Sequence, residues 1–214
     1  ALALAFVAAG AWLVDRRADG RESAAVARWP PEGAFVEVEG RRVHAVTRGA
    51  GPDLVLIHGA SGNARDMTFR LMGMLTGRYR VTAFDRPGLG YTDPAPSAGL
   101  LDRRGESPTE QAALLRAAAR ELGLRRPIVL GHSFGGAVAL AWGLSDPEGT
   151  AAVVDVSGVA MPWPGRLGWL YLLSDPGLGS ALVPPLVAAF APRPLVDQAV
   201  GSVFAPDPVP AGYA

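Results

Sequence analysis

The sequence predicts an α/β fold in which a mainly parallel sheet begins with an antiparallel hairpin and carries helices on both faces. Three observations predict it. Apolar and polar residues alternate in two short runs near residue 40, several later runs are wholly apolar, and helical segments alternate with those later runs. With 214 residues, of which 49% are hydrophobic and 19% charged, the chain can bury one substantial core.

The first 14 residues are apolar throughout, and three charged residues follow them. Because a membrane-spanning helix needs about 20 apolar residues, residues 1–14 are too short for a complete span. We expect an anchor segment, a signal-like segment or a helix docked on the protein surface. The first two predict membrane association and an anchored or exported protein, and the third predicts a cytoplasmic one. Residues 15–31 are charged and Ala-rich and end in a proline pair, so we interpret them as a linker.

The folded domain begins with a predicted antiparallel hairpin. Apolar and polar residues alternate over 35–39 and over 43–47, with a glycine between the two runs. The run 54–57 is wholly apolar, which is typical of a strand buried on both faces. We then predict a helix over 64–75 and a strand over 79–84, which ends at a turn containing proline and glycine.

The second half of the domain contains the clearest helix start in the chain. Ser107 and Glu110 have the spacing of a capping box, and a proline occupies the first helical position between them. We predict that this helix ends at the next glycine. Three further elements follow: a buried strand over 128–130, a helix over 133–144 and a strand over 152–156. This alternation of strands and helices predicts the parallel part of the sheet.

The turn after the strand at 128–130 carries the candidate nucleophile, Ser133, in the run Gly-His-Ser-Phe-Gly. A serine hydroxyl is a poor nucleophile at neutral pH and needs a base, a fixed exposed position and donors for the oxyanion. A tight strand-to-helix turn provides the position, and the helix N-terminus favours negative charge. Gly131 and Gly135 leave room for the strand and the helix to approach closely. We expect the backbone N–H of Phe134 to be the first oxyanion donor.

Three blocks of sequence together resemble the capped α/β-hydrolase family. They are Leu-Ile-His-Gly-Ala over 56–60, Phe-Asp-Arg-Pro-Gly-Leu-Gly-Tyr over 84–91 and Gly-His-Ser-Phe-Gly-Gly over 131–136. The order and the separation of the blocks match that family, and the resemblance covers roughly 35–158. It implies an α/β-hydrolase core over 32–158, followed by part of a helical cap over 159–214.

The resemblance also implies a mechanism. Ser133 would form a covalent acyl intermediate in ester-type hydrolysis, and the backbone N–H of Ala60 would be the second oxyanion donor beside that of Phe134. A serine at this position differs from the aspartate of haloalkane dehalogenases and soluble epoxide hydrolases. Carbon–carbon hydrolysis, lactone opening and acyl transfer remain open alternatives, because many chemistries share this scaffold.

No candidate for the catalytic base follows Ser133. The family order is serine, then acid, then histidine, whereas all three histidines precede the serine. His58 and His132 are interpreted as structural, and His44 as either structural or on the surface. In one explanation the chain is incomplete: the last sheet strands, with their acid and histidine, are missing, and the 214 residues are inactive alone. In the other it is a natural short form that binds ligands or partners without catalysis. Asp155 is a candidate acid, with a structural carboxylate at a strand end as the alternative.

Composition bears on substrate and cofactor. Trp163 and Trp169, with three further aromatic residues of the expected cap (Tyr171, Phe190 and Phe204), either line an apolar pocket or pack the cap onto the core. Such a pocket predicts a hydrophobic small-molecule substrate. Zero net charge without a basic stripe predicts no nucleic-acid binding, and the absence of cysteine excludes thiolate catalysis and Cys-type zinc sites. Since no histidine has metal-ligand spacing, we predict no metal and no cofactor.

Overall fold

The structure is a computed structural model that describes residues 2–96, 106–161 and 178–213. These residues divide into two compact units. The sheet unit comprises 31–96 and 106–161, and the helical unit comprises 2–30 and 178–213. Each unit is described by itself below.

The described part of the sheet unit forms one six-stranded sheet in the order β1-β2-β4-β3-β5-β6. The strands are β1 Ala34–Val38, β2 Arg41–Arg48, β3 Asp53–Ile57, β4 Arg80–Phe84, β5 Ile128–His132 and β6 Ala152–Val156. The pairings of β1 with β2 and of β2 with β4 are antiparallel, and β4-β3, β3-β5 and β5-β6 are parallel. The predicted fold class, a mainly parallel sheet that opens with an antiparallel hairpin, is confirmed.

Four described helices connect these strands: α2 Ala64–Thr68, α3 Leu71–Leu75, α4 Pro108–Glu121 and α5 Phe134–Ser145. The capping box that predicted α4 is present, since the Ser107 hydroxyl accepts from the Glu110 N–H at 3.3 Å and the Glu110 carboxylate accepts from the Ser107 N–H at 2.7 Å. The single helix predicted over 64–75 is wrong. Arg70 has φ −137° and ψ −47°, outside the helical region, and this backbone divides the segment into two short helices.

Hydrophobic residues fill both faces of the central strand β3, as its wholly apolar run predicts. Val55 and Ile57 belong to a buried cluster with residues of α4 and α5. Leu54 and Leu56 belong to a second cluster with residues of α2 and α3. Because alternate residues of a strand point to opposite faces, helices cover the two sides of this part of the sheet. The carboxyl ends of β3, β4 and β5 therefore open at one edge, between two packed layers.

Strand β6 lies at one edge of the described sheet and is more exposed than its neighbour β5. Val154 and Val156 have 40% and 41% of their surfaces exposed. The described residues that follow β6 form helices, and none of them adds a strand to this sheet. The outer backbone edge of β6 is thus unpaired in the part of the chain that the structure describes.

The helical unit contains α1 Leu2–Arg28, α6 Leu178–Phe190 and α7 Arg193–Phe204. Residues 15–28, which were interpreted as part of a linker, are helical, because α1 continues through Arg28 as one helix. The physical reason is that 15–28 is rich in alanine and arginine, which favour helix, and contains no proline before the pair at 30–31. Arg17 fixes α1 against α6 by donating from Nε to the Ala189 carbonyl at 2.9 Å. Among the described residues, no helix combines the length and the apolar character that a membrane span requires.

Candidate active site

Ser133 lies in a sharp turn between the end of β5 and the start of α5. Its φ of 53° and ψ of −120° are values that a residue with a side chain rarely adopts, at a cost of about 1–3 kcal/mol. Backbone hydrogen bonds hold this conformation: the Ser133 N–H donates to the Val156 carbonyl at 3.0 Å, and the Ser133 carbonyl accepts from the Gly136 N–H at 2.9 Å. The turn therefore displays a half-buried serine hydroxyl at the carboxyl end of a central strand.

Glycine is required on both sides of this turn. A Cβ atom on Gly131 would collide with the Gly135 carbonyl and would lie 2.6 Å from the Gly136 nitrogen. A Cβ atom on Gly135 would collide with the backbone carbonyls of Ile57 and His58. The close approach of α5 to β5 and to the end of β3, which the sequence predicts from these glycines, leaves no space for a side chain.

The loop after β3 lies directly against the turn. A Cβ atom on Gly59 would be only 3.2 Å from Cβ of Ser133 and 3.2 Å from Nδ1 of His132. Ala60 follows on the exposed side of this loop. Within the described part of the chain, no residue accepts a hydrogen bond from the backbone N–H of Ala60 or of Phe134. Two backbone donors that have no acceptor among the described residues therefore lie on the segments beside the serine.

His58 is completely buried and supports this loop. Its Nε2 accepts from the Arg86 N–H at 2.9 Å, so Nδ1 carries the proton and donates to the Gly59 carbonyl at 2.9 Å. Burial and, second, the positive charge of Arg86 lower the pKa of His58 to about 4. His58 is therefore neutral at physiological pH, with both ring nitrogens occupied by the fold.

His44 is buried as well, in the hairpin. It contacts the Asp85 carboxylate through Nδ1 at 2.7 Å and the Glu32 carbonyl through Nε2. Burial alone would lower the pKa of His44, but the hydrogen bonds to Asp85 and Glu32 outweigh it and the pKa is raised. The partner of each ring nitrogen is a hydrogen-bond acceptor. This favours the doubly protonated ring of His44 beside an ionised Asp85. Of the two alternatives for His44, a structural role is confirmed and a surface position is wrong.

Asp85 connects the hairpin to two loops around the site. Besides His44, its carboxylate accepts from the backbone N–H of Ala64 at 2.6 Å and of Tyr91 at 2.9 Å. Burial raises the pKa of Asp85, but these hydrogen bonds more than compensate and the pKa is lowered. Asp85 is thus an ionised structural carboxylate with three donors.

Neither His132 nor Asp155 is joined to the serine by a hydrogen bond. His132 is exposed, with its ring beside Gly59. The Asp155 carboxylate is also exposed and occupies the space over Gly136 and Gly158. Within the described residues, no histidine makes a hydrogen bond or an ion pair with Asp155. The role of Asp155 as a catalytic acid stays a prediction.

Arg86, which lies in the turn predicted after the strand over 79–84, also belongs to this site. Its side chain is 4% exposed, and its guanidinium donates to the Gly59 carbonyl at 2.8 Å. The same group lies over the Phe134 ring, 4.7 Å from the ring centroid. The sequence feature that could have indicated a role in the site is the position of Arg86 next to Asp85 in the block 84–91. A sequence does not show, however, which carbonyl a buried guanidinium reaches.

Comparison with protein families matches residues 54–213 to the alpha/beta hydrolase family. The chain belongs to this family. The matched range includes all three blocks on which the resemblance was based, so that prediction is confirmed.

Two curated relatives show how far the likeness of this alpha/beta hydrolase extends. The dihydrolipoyllysine-residue acetyltransferase component of the acetoin cleaving system of Cupriavidus necator is 33% identical over 141 residues, which are 65% of this chain and 34% of that protein. A 2-hydroxy-6-oxononadienedioate/2-hydroxy-6-oxononatrienedioate hydrolase of Cupriavidus pinatubonensis is 31% identical over 121 residues, which are 55% of this chain and 40% of that protein. The chain therefore spans well under half the length of these relatives.

Among solved structures, the alpha/beta hydrolase chain is similar to an alpha/beta hydrolase fold protein from Burkholderia ambifaria. The TM-score is 0.62 and the identity 27%, over 84% of this chain and 61% of the other. A membrane phospholipase A has a TM-score of 0.61 at 24% identity, over 98% of this chain and 65% of the other, which shows the common fold.

The predicted substrate-pocket residues Trp163 and Trp169 lie outside the described residues of this alpha/beta hydrolase, as does Tyr171. In the helical unit, Phe190 lies under the Arg17 guanidinium at 5.1 Å, and the ring centroids of Phe204 and Tyr213 are 4.8 Å apart. An open apolar groove of about 450 Å³ in the sheet unit is lined by residues of α4 and α5 and does not include Ser133. Within the described residues, no group of three His, Cys, Asp or Glu side chains is arranged to hold a metal ion.

The two buried histidines predict opposite pH effects on the stability of this alpha/beta hydrolase. His58 has a folded pKa of about 4, below its unfolded value, so its contribution is present above pH 6.5 and is lost as the pH falls to 4. The loss is about 3 kcal/mol in the free energy of unfolding. The folded pKa of His44 is raised above its unfolded value. Its contribution to stability is therefore present below pH 6.5 and is lost as the pH rises from 6.5 through the folded pKa.

Denaturant unfolding from pH 4 to pH 8 measures both effects. The variant His58→Gln is expected to lose less stability than the wild type between pH 6.5 and pH 4, and His44→Gln to lose less above pH 6.5. Asp53, whose pKa is also lowered, contributes equally to each pair of curves. Superimposable pH profiles of wild type and variants would show that these histidines do not titrate as described.

Proposed function

We propose that Ser133 is the nucleophile of a serine-type hydrolase that acts on an ester-like carbonyl. The observation that carries the proposal is the conformation of Ser133, which has a φ of 53° between β5 and α5. A strained backbone held by glycine contacts and hydrogen bonds is a frequent property of residues that perform chemistry. The hydrolase name of the Cupriavidus pinatubonensis relative supports the reaction class.

In the proposed mechanism the Ser133 hydroxyl oxygen attacks the carbonyl carbon of the substrate while a base takes its proton. The carbonyl oxygen becomes an oxyanion, and the backbone N–H groups of Ala60 and Phe134 donate hydrogen bonds to it. Collapse of this intermediate expels the alcohol, which receives the proton, and leaves an acyl group on Ser133. Water then attacks the acyl carbon while the base takes its proton, and a second oxyanion forms. Its collapse breaks the bond to Ser133, releases the acid and returns the proton to the Ser133 oxygen.

The proposal requires a general base that the three histidines of this sequence do not supply. His58 and His44 have both ring nitrogens engaged by the fold, and His132 makes no hydrogen bond to Ser133 among the described residues. The base would therefore belong to the complete gene product, and these 214 residues alone would hydrolyse esters slowly or not at all. A ligand-binding protein without catalysis is the second candidate function, and the absence of a placed histidine among the described residues is the observation that favours it.

For the substrate we propose a small molecule with a hydrophobic acyl part, bound without a cofactor. We also propose that residues 1–14 associate with a lipid surface. The exposed side chains of Phe6, Trp12 and Leu13, which are 77%, 60% and 59% accessible, support such an association, because an aqueous surface does not favour large apolar groups.

A fluorophosphonate probe, which phosphonylates activated serines, tests the proposal on the full-length gene product containing these residues. We expect covalent labelling of the wild type and none of Ser133→Ala, because the probe needs a nucleophilic oxygen and the oxyanion donors. Labelling that survives Ser133→Ala would overturn Ser133 as the nucleophile. A folded wild type that is neither labelled nor able to turn over esters would favour the binding protein.

A further inference from the structure

The peptide that links Gly59 to Ala60 is held by two hydrogen bonds to its carbonyl oxygen. One donor is the guanidinium NH2 of Arg86 at 2.8 Å, and the other is Nδ1 of His58 at 2.9 Å. The carbonyl of Gly59 and the N–H of Ala60 belong to the same planar amide group and point in opposite directions. Whatever fixes the direction of the carbonyl therefore also fixes the direction of the N–H.

Arg86 is itself rigidly placed. Its backbone N–H donates to Nε2 of His58 at 2.9 Å, and its NH1 donates to the Gln111 side-chain oxygen at 3.0 Å. Burial of a guanidinium is costly, and the contacts of its NH1 with Gln111 and of its NH2 with the Gly59 carbonyl offset part of that cost. Because the group has a planar fork of donors, it reaches the Gly59 carbonyl and Gln111 at the same time.

The same guanidinium also contacts the other side of the site. Its central carbon lies 4.7 Å from the centroid of the Phe134 ring, within the range of a cation–π interaction. Phe134 begins α5 and follows Ser133 directly. Arg86 therefore touches both segments whose backbone N–H groups, at Ala60 and Phe134, have no acceptor among the described residues.

We propose that Arg86 is a positioning residue. It holds the Gly59–Ala60 peptide so that the N–H of Ala60 and the N–H of Phe134 can donate to the same oxyanion. This inference rests on the proposed function of Ser133. A hydrogen bond to the carbonyl also polarises the amide, which makes its N–H a stronger donor. Without Arg86 the peptide keeps only the His58 contact, and rotation of the peptide would turn a carbonyl oxygen towards the oxyanion and repel it.

The test compares Arg86→Met with Arg80→Met in the full-length protein. Arg86→Met is expected to lower kcat about 10- to 100-fold with KM changed less than about threefold, since the hydrogen bond that it removes orients a donor to the transition state. Arg80→Met removes a matched contact, the hydrogen bond from the Arg80 guanidinium to the Gly123 carbonyl at 2.8 Å, at the amino end of β4, away from Ser133. It is expected to lower Tm while keeping kcat within about threefold of the wild type. Equal losses of kcat in the two variants, or no loss in Arg86→Met, would overturn the inference. If Arg86→Met does not fold, Arg86→Lys replaces it and is judged by the same split between kcat and KM.

A crystal structure of the Arg86 variant separates this inference from the proposed function. We expect the Gly59 carbonyl to leave its wild-type direction, and an unchanged Gly59–Ala60 peptide would overturn the positioning role whatever the activity. If the wild type neither turns over esters nor reacts with the fluorophosphonate probe, the proposed function fails, and the peptide direction in the crystal still decides what Arg86 does.

Discussion

Ser133→Ala is expected to lower ester turnover by the full-length protein by a factor of about 10⁴ or more. Removing the hydroxyl eliminates the covalent route, and only binding and oxyanion stabilisation remain to help a water molecule. The backbone of the turn does not depend on the serine side chain, because its hydrogen bonds run from the Ser133 N–H and to the Ser133 carbonyl. The variant should therefore fold and bind substrate normally, and steady-state kinetics with a chromogenic ester measure the loss.

Ser157→Ala provides the matched control. Ser157 also follows a strand directly and also has a positive φ, of 51°. Alanine must therefore adopt a similar left-handed backbone in both variants. We expect its kcat to stay within about threefold of the wild-type value, since no step of the mechanism uses it. Similar losses in the two variants would mean that backbone strain, and not the Ser133 oxygen, determines the rate.

Gly135→Ala is expected to lower the free energy of unfolding by at least about 3 kcal/mol and to abolish activity. Its Cβ atom would collide with two backbone carbonyls, those of Ile57 and His58, and neither can move like the end of a flexible side chain. To relieve the collision, the start of α5 must separate from β3. That movement would also displace Ser133 and the Phe134 N–H relative to Ala60.

Gly73→Ala is the control for a glycine-to-alanine change inside a helix. Gly73 lies in α3, and a Cβ atom there meets nothing within 4 Å. Because alanine favours helix by about 1 kcal/mol over glycine, this variant should be as stable as the wild type or slightly more stable. Urea unfolding of both variants measures the difference. A Gly135→Ala protein as stable as Gly73→Ala would contradict the close packing of α5 on β3.

The features that the sequence predicts correctly are those set by local chemistry. The Ser107–Glu110 capping box determines where α4 begins, because both partners lie within four residues of one another. The turn at Ser133 is likewise encoded locally, by glycines two residues on either side of it. The buried strand β3 follows from its uninterrupted apolar run.

The features that a sequence does not reveal depend on contacts distant along the chain. Buried His44 is paired with Asp85, which is 41 residues away in the chain but only 2.7 Å away in space. Arg86 reaches Gly59, 27 residues earlier, and no local pattern specifies that contact. The continuation of α1 past residue 14 has a different cause: the chain changes there from apolar to charged residues, but its helix propensity does not change.

The central claim, that Ser133 forms a covalent intermediate, is tested most directly by trapping that intermediate. The full-length protein is mixed with an activated ester, quenched in acid within the first turnovers, digested and analysed by mass spectrometry. The account predicts that the acyl mass lies on the peptide containing Ser133, at Ser133 itself, and disappears in Ser133→Ala. An acyl group on any other residue, or continued turnover with Ser133 unmodified, would contradict it.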